Sequence, residues 1–427
     1  MKRIVVVGGG SAYTPGLARA LAAHPELAGA TVVLQDVDPE ALDLQRRLSG
    51  GILRARGADV TVVAEPDRRR AIEGADCVLT MFRPGGFPAR HLDESIAVAH
   101  GVIGQETAGP GGFAMALRSV PIVLEVAEEV RALGAPGCVL LNYTNPVQTV
   151  SEAVARFAPD VPFLGLCDQT SGEIATHARV LEVAARDVEI DTAGTNHMTF
   201  TRAVRVGDED VTERLWQRYR TIPDEELEPE ERYEVRLFRE LGAFPSEYLM
   251  YFRFHDEVLD EQRREGTRAA EVMALLPEVL ASYRREADAE DPRPSDARAG
   301  NHLGDFAVSI MAAMAAGTAS RFILNLPNVG QVPNLPRGAI VETPAVLAGR
   351  RPTPIPQAPI PDAWRDTVAA VAEHARMTAE AAVAGDRALA VEALAHHPLV
   401  RERAVARDLV DAYLDAHAPH LPRFAAA

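Results

Sequence analysis

The sequence predicts an α/β protein with an N-terminal doubly wound parallel sheet and a second, helix-rich α+β domain, on three observations. Strand-like and helix-like runs alternate through the first 165 residues, a glycine-rich loop joins the first strand to the first helix, and long helical patterns take over beyond residue 170. The boundary is placed there, giving units of 1–170 and 171–427.

The first strand, Lys2 to Val7, runs into Gly8-Gly9-Gly10-Ser11-Ala12-Tyr13-Thr14-Pro15. Apolar Ile4 to Val7 fits a buried parallel strand, three glycines let the backbone approach a phosphate closely, and Pro15 suits the first helical position. A second apolar run, Thr31 to Leu34, ends in Gln35-Asp36. Asp36 is placed to accept hydrogen bonds from a ribose diol and to repel a 2′-phosphate, which favours NAD over NADP. This Rossmann-like reading assigns Gly8, Gly9, Gly10, Ser11, Tyr13 and Asp36 to the cofactor. Ser11 and Thr14 depart from the usual fingerprint, and a tight turn that binds nothing is the competing reading.

Further elements follow in order. A helix opens at Asp38-Pro39; strands are predicted at Asp59–Ala64, Cys77–Phe82, Gly137–Asn142, Val161–Leu166 and Val188–Thr192, with a helix at Ala114–Leu133. Strands then become sparse, and helices are expected at Glu257–Glu286, Trp364–Ala384 and Ala404–Ala416. The acidic Pro223–Glu234 and the segment Ala287–Ala299 read as surface excursions, and proline-rich Arg351–Pro361 as an extended connection.

Composition narrows the function. At 427 residues and 47% apolar, the chain has material for two ordinary cores. With 44 basic and 61 acidic side chains, its formal charge of −17 argues against nucleic acid or anionic membrane as a partner. An anionic small substrate would instead need a local arginine cluster. No apolar run approaches a membrane span, and the N-terminus enters strand one without a signal peptide, so a cytoplasmic protein is expected. Cys77 and Cys138 sit inside apolar runs and read as small buried hydrophobes.

Polar residues crowd the strand ends, where an open sheet places its ligand crevice. Cys77–Phe82 ends in Arg83-Pro84-Gly85-Gly86, Gly137–Leu141 in Asn142-Tyr143-Thr144-Asn145-Pro146, Val161–Leu166 in Cys167-Asp168-Gln169, and Val188–Thr192 leads to Asn196-His197. Cys167 and His197 form a candidate open metal pair, a thiolate and a neutral imidazole without the further ligands of a closed structural site. A buried thiol and a hydrogen-bonded core histidine are the alternative for these two residues.

Set together, Gly8 to Pro15, the block from Arg83 through Arg90 to Glu94, the run Gly101 to Thr107 with Gly111-Gly112, Asn142 to Pro146, Gly165-Leu166-Cys167 and Asn196-His197 resemble glycoside hydrolase family 4. Tyr248-Leu249-Met250-Tyr251, Asn325 to Pro344 and His397-Pro398-Leu399 carry the resemblance nearly to the end of the chain. The resemblance implies an NAD-dependent glycosidase: oxidation at C3 of the sugar, elimination across C1–C2, addition of water and re-reduction, with no net redox change. It implies Mn²⁺, or another divalent ion, at Cys167 and His197, and dependence on a reducing agent. Tyr248 matches the family's C2 base, although by itself it reads as a packing residue. Asp168 matches the leaving-group acid of members with Cys-Asp, the alternative being a helix cap. Arg83 and Asn142 join the cofactor-binding set; Arg90, Glu106, Asn145 and Arg298 form the substrate-binding set, with Arg90 and Arg298 answering the demand for local positive charge.

The expected substrate is a hexoside anionic at C6, a 6-phosphoglucoside first and a 6-sulfo sugar such as a sulfoquinovoside second, since the guanidinium fork fits both groups. A malate- or lactate-type dehydrogenase would share the glycine loop but leaves Cys167, His197 and Tyr248 without roles. Alanine- and leucine-rich C-terminal helices and the family likeness point to a homo-oligomer, a dimer or tetramer.

Overall fold

Arg3–Val7 forms β1, buried except at its first residue. It lies in parallel between β2, Ala30–Gln35, and β4, Cys77–Thr80, with β3, Val60–Ala64, outside β2. Val139–Asn142 (β5) and Phe163–Gly165 (β6) extend the sheet past β4. The computed structural model describes residues 1–227, 231–297 and 304–425.

The first six strands stand in the order β3-β2-β1-β4-β5-β6, that of a dinucleotide-binding sheet, with the strand order reversing between β1 and β4. Both faces are covered, and consecutive residues divide between them. Ile4, Val6, Val32 and Leu34 share a core with helices Thr14–Ala23 and Pro39–Ala55. Val5, Val7, Val33 and Val78 share the other with helix Gly109–Leu133. That helix is long and apolar enough in composition to cross a membrane, contrary to the expectation from the sequence, but most of its apolar stretch is buried inside the fold.

Strands are not sparse beyond residue 170. Val188–Thr195 (β7), Met198–Val206 (β8), Glu209–Asp210 (β9), Phe244–Pro245 (β10), Ser320–Pro327 (β11), Ile340–Ala348 (β12) and Arg351–Pro354 (β13) all join the same sheet. Their pairings are antiparallel. Such strands alternate instead of forming continuous apolar runs, and β8, Met-Thr-Phe-Thr-Arg-Ala-Val-Arg-Val, shows why they escape a search for runs. The ribbon of β11 and β12 links the two halves: Asn325 pairs with Gly165 of β6, and Glu342 with Gly194 of β7.

Three other expectations need correction. The long helix at Glu257–Glu286 is two, His255–Glu265 and Arg268–Glu286, separated at Gly266, whose φ of 92° no helix accommodates. The acidic stretch ends inside the amphipathic helix Glu231–Leu241, with Glu231 and Glu234 buried. The proline-rich connection begins as β13, an edge strand, where missing N–H donors are tolerated.

Candidate active site

The glycine loop is built by close approach. Gly8 and Gly9 both donate their N–H to the Gln35 carbonyl, at 2.9 and 2.8 Å. Gly8 has φ +93°, and a Cβ there would lie 2.8 Å from the Met81 carbonyl carbon, so only glycine lets the chain leaving β1 pass so close to the end of β4 at the switch point. Asp36, half-buried at the end of β2, accepts from the Gly10 N–H at 2.8 Å and from Asp38 N–H at 3.1 Å. Ser11 Oγ accepts from Tyr13 N–H, so the loop is braced internally. The glycine loop and Asp36 thus lie together, with Asp36 tied to the loop through Gly10.

Asn142 is fully buried. Its Oδ1 accepts from the Thr80 hydroxyl at 2.7 Å and its Nδ2 donates to the Thr144 carbonyl at 2.9 Å, so it ties the end of β5 to β4 and to the following loop. Asn145 follows, half-buried, before a cis bond to Pro146.

Arg83, Arg90 and Glu106 come together. Glu106 is paired with both guanidiniums, at 3.1 Å to Arg90, and Arg90 donates from Nε to Glu94 at 2.7 Å. Arg90 is only 4% exposed, an interior cation rather than a solvated one. Its helix, Gly86–Ala99, is held by Asp93, which takes a bidentate contact from buried Arg118 and a third from His417. Arg298 lies outside the described residues.

Cys167 Sγ and His197 Nε2 are 3.3 Å apart. Two donors at about 2.3 Å (S) and about 2.1 Å (N) from one ion, between right and tetrahedral angles, lie about 3.1 to 3.6 Å apart, so the pair fits a shared divalent ion. Among the described residues no group of three or more His, Cys, Asp or Glu converges as a metal set. Burial first, and then Glu342, holds the Cys167 thiol well above its usual range; a bound cation would offset that cost and favour the thiolate. Burial pushes His197 down to about 4, against the opposing charge of Glu106, so the imidazole is neutral as a ligand requires.

His197 does not end another parallel strand. It sits in the two-residue turn between β7 and β8 with φ +66°, an uncommon conformation for a residue with a Cβ. Its Nδ1 is 2.9 Å from Thr107 Oγ1, and its ring stacks on Tyr248. Burial pushes the Tyr248 phenol well up, reinforced by Glu247 and Tyr251.

Asp168 precedes helix Gln169–Leu181 but makes no side-chain cap bond. Its Oδ1 instead accepts from the Tyr143 hydroxyl at 2.7 Å. Burial raises its carboxyl to about 7, with Asp305 adding to the rise and the tyrosine bond opposing it.

Several contributors had no role in the sequence reading. Glu342 is fully buried, accepts from Asn196 Nδ2 at 3.1 Å and Asn325 Nδ2 at 3.3 Å, and is raised by burial to about 7. Gln105 and Thr107 brace His197, and Tyr143 holds Asp168. Their only signal was membership of short motifs; no spacing joins β12 to β7.

Fold and crevice together define a class: a dinucleotide-binding α/β enzyme with a close cysteine–histidine pair beside a tyrosine. Residues 3–183 match the model of the family 4 glycosyl hydrolases, and residues 192–400 that of the family 4 glycosyl hydrolase C-terminal domain. The chain belongs to glycosyl hydrolase family 4 and is a glycosidase. It is 32% identical over 438 residues to a probable 6-phospho-beta-glucosidase of Bacillus subtilis, covering 99% of this chain and 98% of the relative. Among solved structures, a Thermotoga maritima 6-phospho-beta glucosidase with manganese, NAD⁺ and glucose-6-phosphate aligns at TM-score 0.88 and 28% identity, covering 98% of this chain and 99% of that one. A 6-phospho-alpha-glucosidase from gut microorganisms, in complex with NAD and Mn²⁺, aligns at 0.89 and 25%, covering 99% of each chain.

Proposed function

We propose that the protein hydrolyses a 6-phosphohexoside, using NAD⁺ and a divalent ion, by oxidation at C3, elimination across C1–C2, addition of water and re-reduction. The observation that carries this reading is the 3.3 Å Cys167–His197 pair with Tyr248 stacked on the histidine. Relatives with NAD, Mn²⁺ and glucose-6-phosphate support the choice of cofactors and substrate.

NAD⁺ supplies a hydride acceptor that is regenerated in each turnover, and a divalent ion held by Cys167 and His197 supplies electrostatic stabilisation to the C2 and C3 oxygens. The chain's own residues do the rest. Gly8, Gly9 and Gly10 admit the pyrophosphate, and Asp36 orients the adenosine ribose. Arg90, with Arg83, holds the C6 anion in a protein that repels anions overall, while Glu106 sets how far each guanidinium can move. Tyr248 takes the C2 proton once the adjacent carbon is oxidised, and Asp168 gives its proton to the departing C1 oxygen. Asn145 and Arg298 are assigned to the sugar on family likeness.

Residues 1–170 serve as the NAD unit, with Arg90, Cys167 and Asp168 reaching the substrate from it, and 171–427 as the unit that adds His197 and Tyr248 to the substrate and metal site and carries association. The alanine- and leucine-rich late helices and the family likeness are the grounds for a homo-oligomer; light scattering of the purified protein tests it. A cytoplasmic location suits an enzyme that needs phosphorylated sugar and a reduced thiol.

Incubation with α- and β-linked 6-phosphoglucosides, NAD⁺, Mn²⁺ and thiol tests the function and settles the anomer. Released sugar is expected with no accumulation of NADH, and in D₂O it should carry deuterium at C2. NADH rising in step with product, or hydrolysis without NAD⁺, overturns the mechanism.

A further inference from the structure

Thr107 stands between Gln105 and His197, and one arrangement of protons satisfies all three. The side-chain Oε1 of Gln105 lies 2.6 Å from the Thr107 backbone nitrogen and 2.7 Å from that of Ala108. Two N–H donors aimed at one atom fix it as the amide oxygen, since the amide nitrogen has no lone pair to offer them. The same oxygen is 2.8 Å from Thr107 Oγ1. Lacking a hydrogen, it accepts, so the hydroxyl proton of Thr107 points at Gln105.

Thr107 Oγ1 is also 2.9 Å from His197 Nδ1. With its only hydrogen committed, the hydroxyl accepts at this contact, and Nδ1 carries the ring proton. A neutral imidazole has one N–H. Nε2 therefore holds the lone pair, on the side of the ring that faces Cys167 Sγ at 3.3 Å.

We propose that Gln105 and Thr107 are positioning residues that impose the Nδ1–H tautomer on His197 and thereby make Nε2 the metal-binding nitrogen. This rests on the assignment of Cys167 and His197 as the metal pair. The order of command runs from the backbone outward: the Thr107 and Ala108 N–H groups orient the Gln105 oxygen, that oxygen orients the Thr107 hydroxyl, and the hydroxyl orients the ring. His197 has need of such control, because it sits at a hairpin turn with φ +66° instead of within a strand ladder. Tyr248 fixes the plane of the ring but, stacked on its face, says nothing about which nitrogen is protonated. Without the threonine hydroxyl, Nδ1–H has lost its acceptor, and the tautomer with Nε2–H directed at Cys167 Sγ gains ground. That tautomer presents no lone pair to an ion.

Selective ¹⁵N labelling of histidine in the full-length, NAD-loaded, metal-free protein tests this, with His197 assigned by comparison with His197→Asn. In the wild type, Nδ1 is expected to show the shift of a protonated ring nitrogen and Nε2 that of an unprotonated one; the reverse pattern overturns the proposal without any variant. Thr107→Val should move the pattern towards Nε2–H and weaken Mn²⁺ binding, read by electron paramagnetic resonance of the free ion, by about 10- to 100-fold. Thr107→Ser, which keeps the hydroxyl, should stay within about threefold of wild type, and Gln105→Met should fall between the two. NAD⁺ affinity and melting temperature monitor the fold of each variant. If Cys167→Ser abolishes Mn²⁺ binding while Thr107→Val leaves tautomer and affinity unchanged, the metal assignment stands and this proposal fails. If Cys167→Ser leaves Mn²⁺ affinity unchanged, the metal assignment itself fails, whatever the tautomer.

Discussion

The imidazole of His197 lies face to face with the phenol of Tyr248, ring centroids 3.7 Å apart and planes 10° from parallel. The ring proposed to hold the ion thus fixes the plane of the proposed base. A charge brought to His197 acts on Tyr248 at short range, in a buried setting where the phenol otherwise keeps its proton.

Tyr248→Phe preserves the stack and removes only the hydroxyl. Turnover is expected to fall by about 10²- to 10⁴-fold, with NAD⁺ and Mn²⁺ affinities within about twofold of wild type. Steady-state kinetics beside metal titration check this; a loss under about tenfold would remove Tyr248 from the role of base.

Asp168, raised to about 7, is an acid poised near neutrality. Activity on glycosides with poor leaving groups should fall as pH rises through about 7, and Asp168→Asn should flatten that limb while sparing activated aryl glycosides. The stability effect has a definite sign. The folded carboxyl keeps its proton to about 7 and an ordinary one only to 3.8, so this group's contribution is complete below 3.8 and is lost as pH rises through 7. Thermal melts of metal-free wild type and Asp168→Asn across that window measure the difference.

Gly8→Ala combines an unfavourable φ with a Cβ 2.8 Å from the Met81 backbone, whereas Gly57, at φ +66°, has nothing within 4 Å. Gly57→Ala isolates backbone strain, expected at about 1–3 kcal/mol. Gly8→Ala should cost more in denaturant titrations and should also weaken NAD⁺ binding.

Arg90→Met leaves Glu94 and Glu106 without their shared buried cation. A loss of about 2–5 kcal/mol is expected in binding a 6-phosphoglucoside, a rise in KM of about 30-fold or more. The exposed Arg131, paired with Asp160 on the surface, should tolerate the same change with unaltered KM. Equal KM shifts in the two variants would argue against a phosphate contact at Arg90.

The parallel half was legible because Ile4–Val7 and Thr31–Leu34 are continuous apolar runs closed by glycine and aspartate, a pattern that local sequence carries in full. The Cys167–His197 pair was legible as chemistry but not as geometry: the expected extra parallel strand proved to be an antiparallel hairpin whose turn, Asn196-His197, contains no glycine to announce it. Glu342 was beyond reach for a different reason. Its meaning comes from pairing opposite Gly194 and from two asparagines on other strands, relations that exist only after the chain has folded.

The seam between the two halves is narrow. Asn325 opposite Gly165 ties the β11–β12 ribbon to the parallel strands and Glu342 opposite Gly194 ties it to the β7–β8 hairpin, and Cys167 and His197 emerge a few residues beyond those glycines. Any ligand that draws the thiol and the imidazole towards a common point therefore acts as a fastener on the sheet itself. Amide exchange at Gly165 and Gly194 should slow in concert when Mn²⁺ is added, so that filling the crevice and closing the splice are registered as a single event.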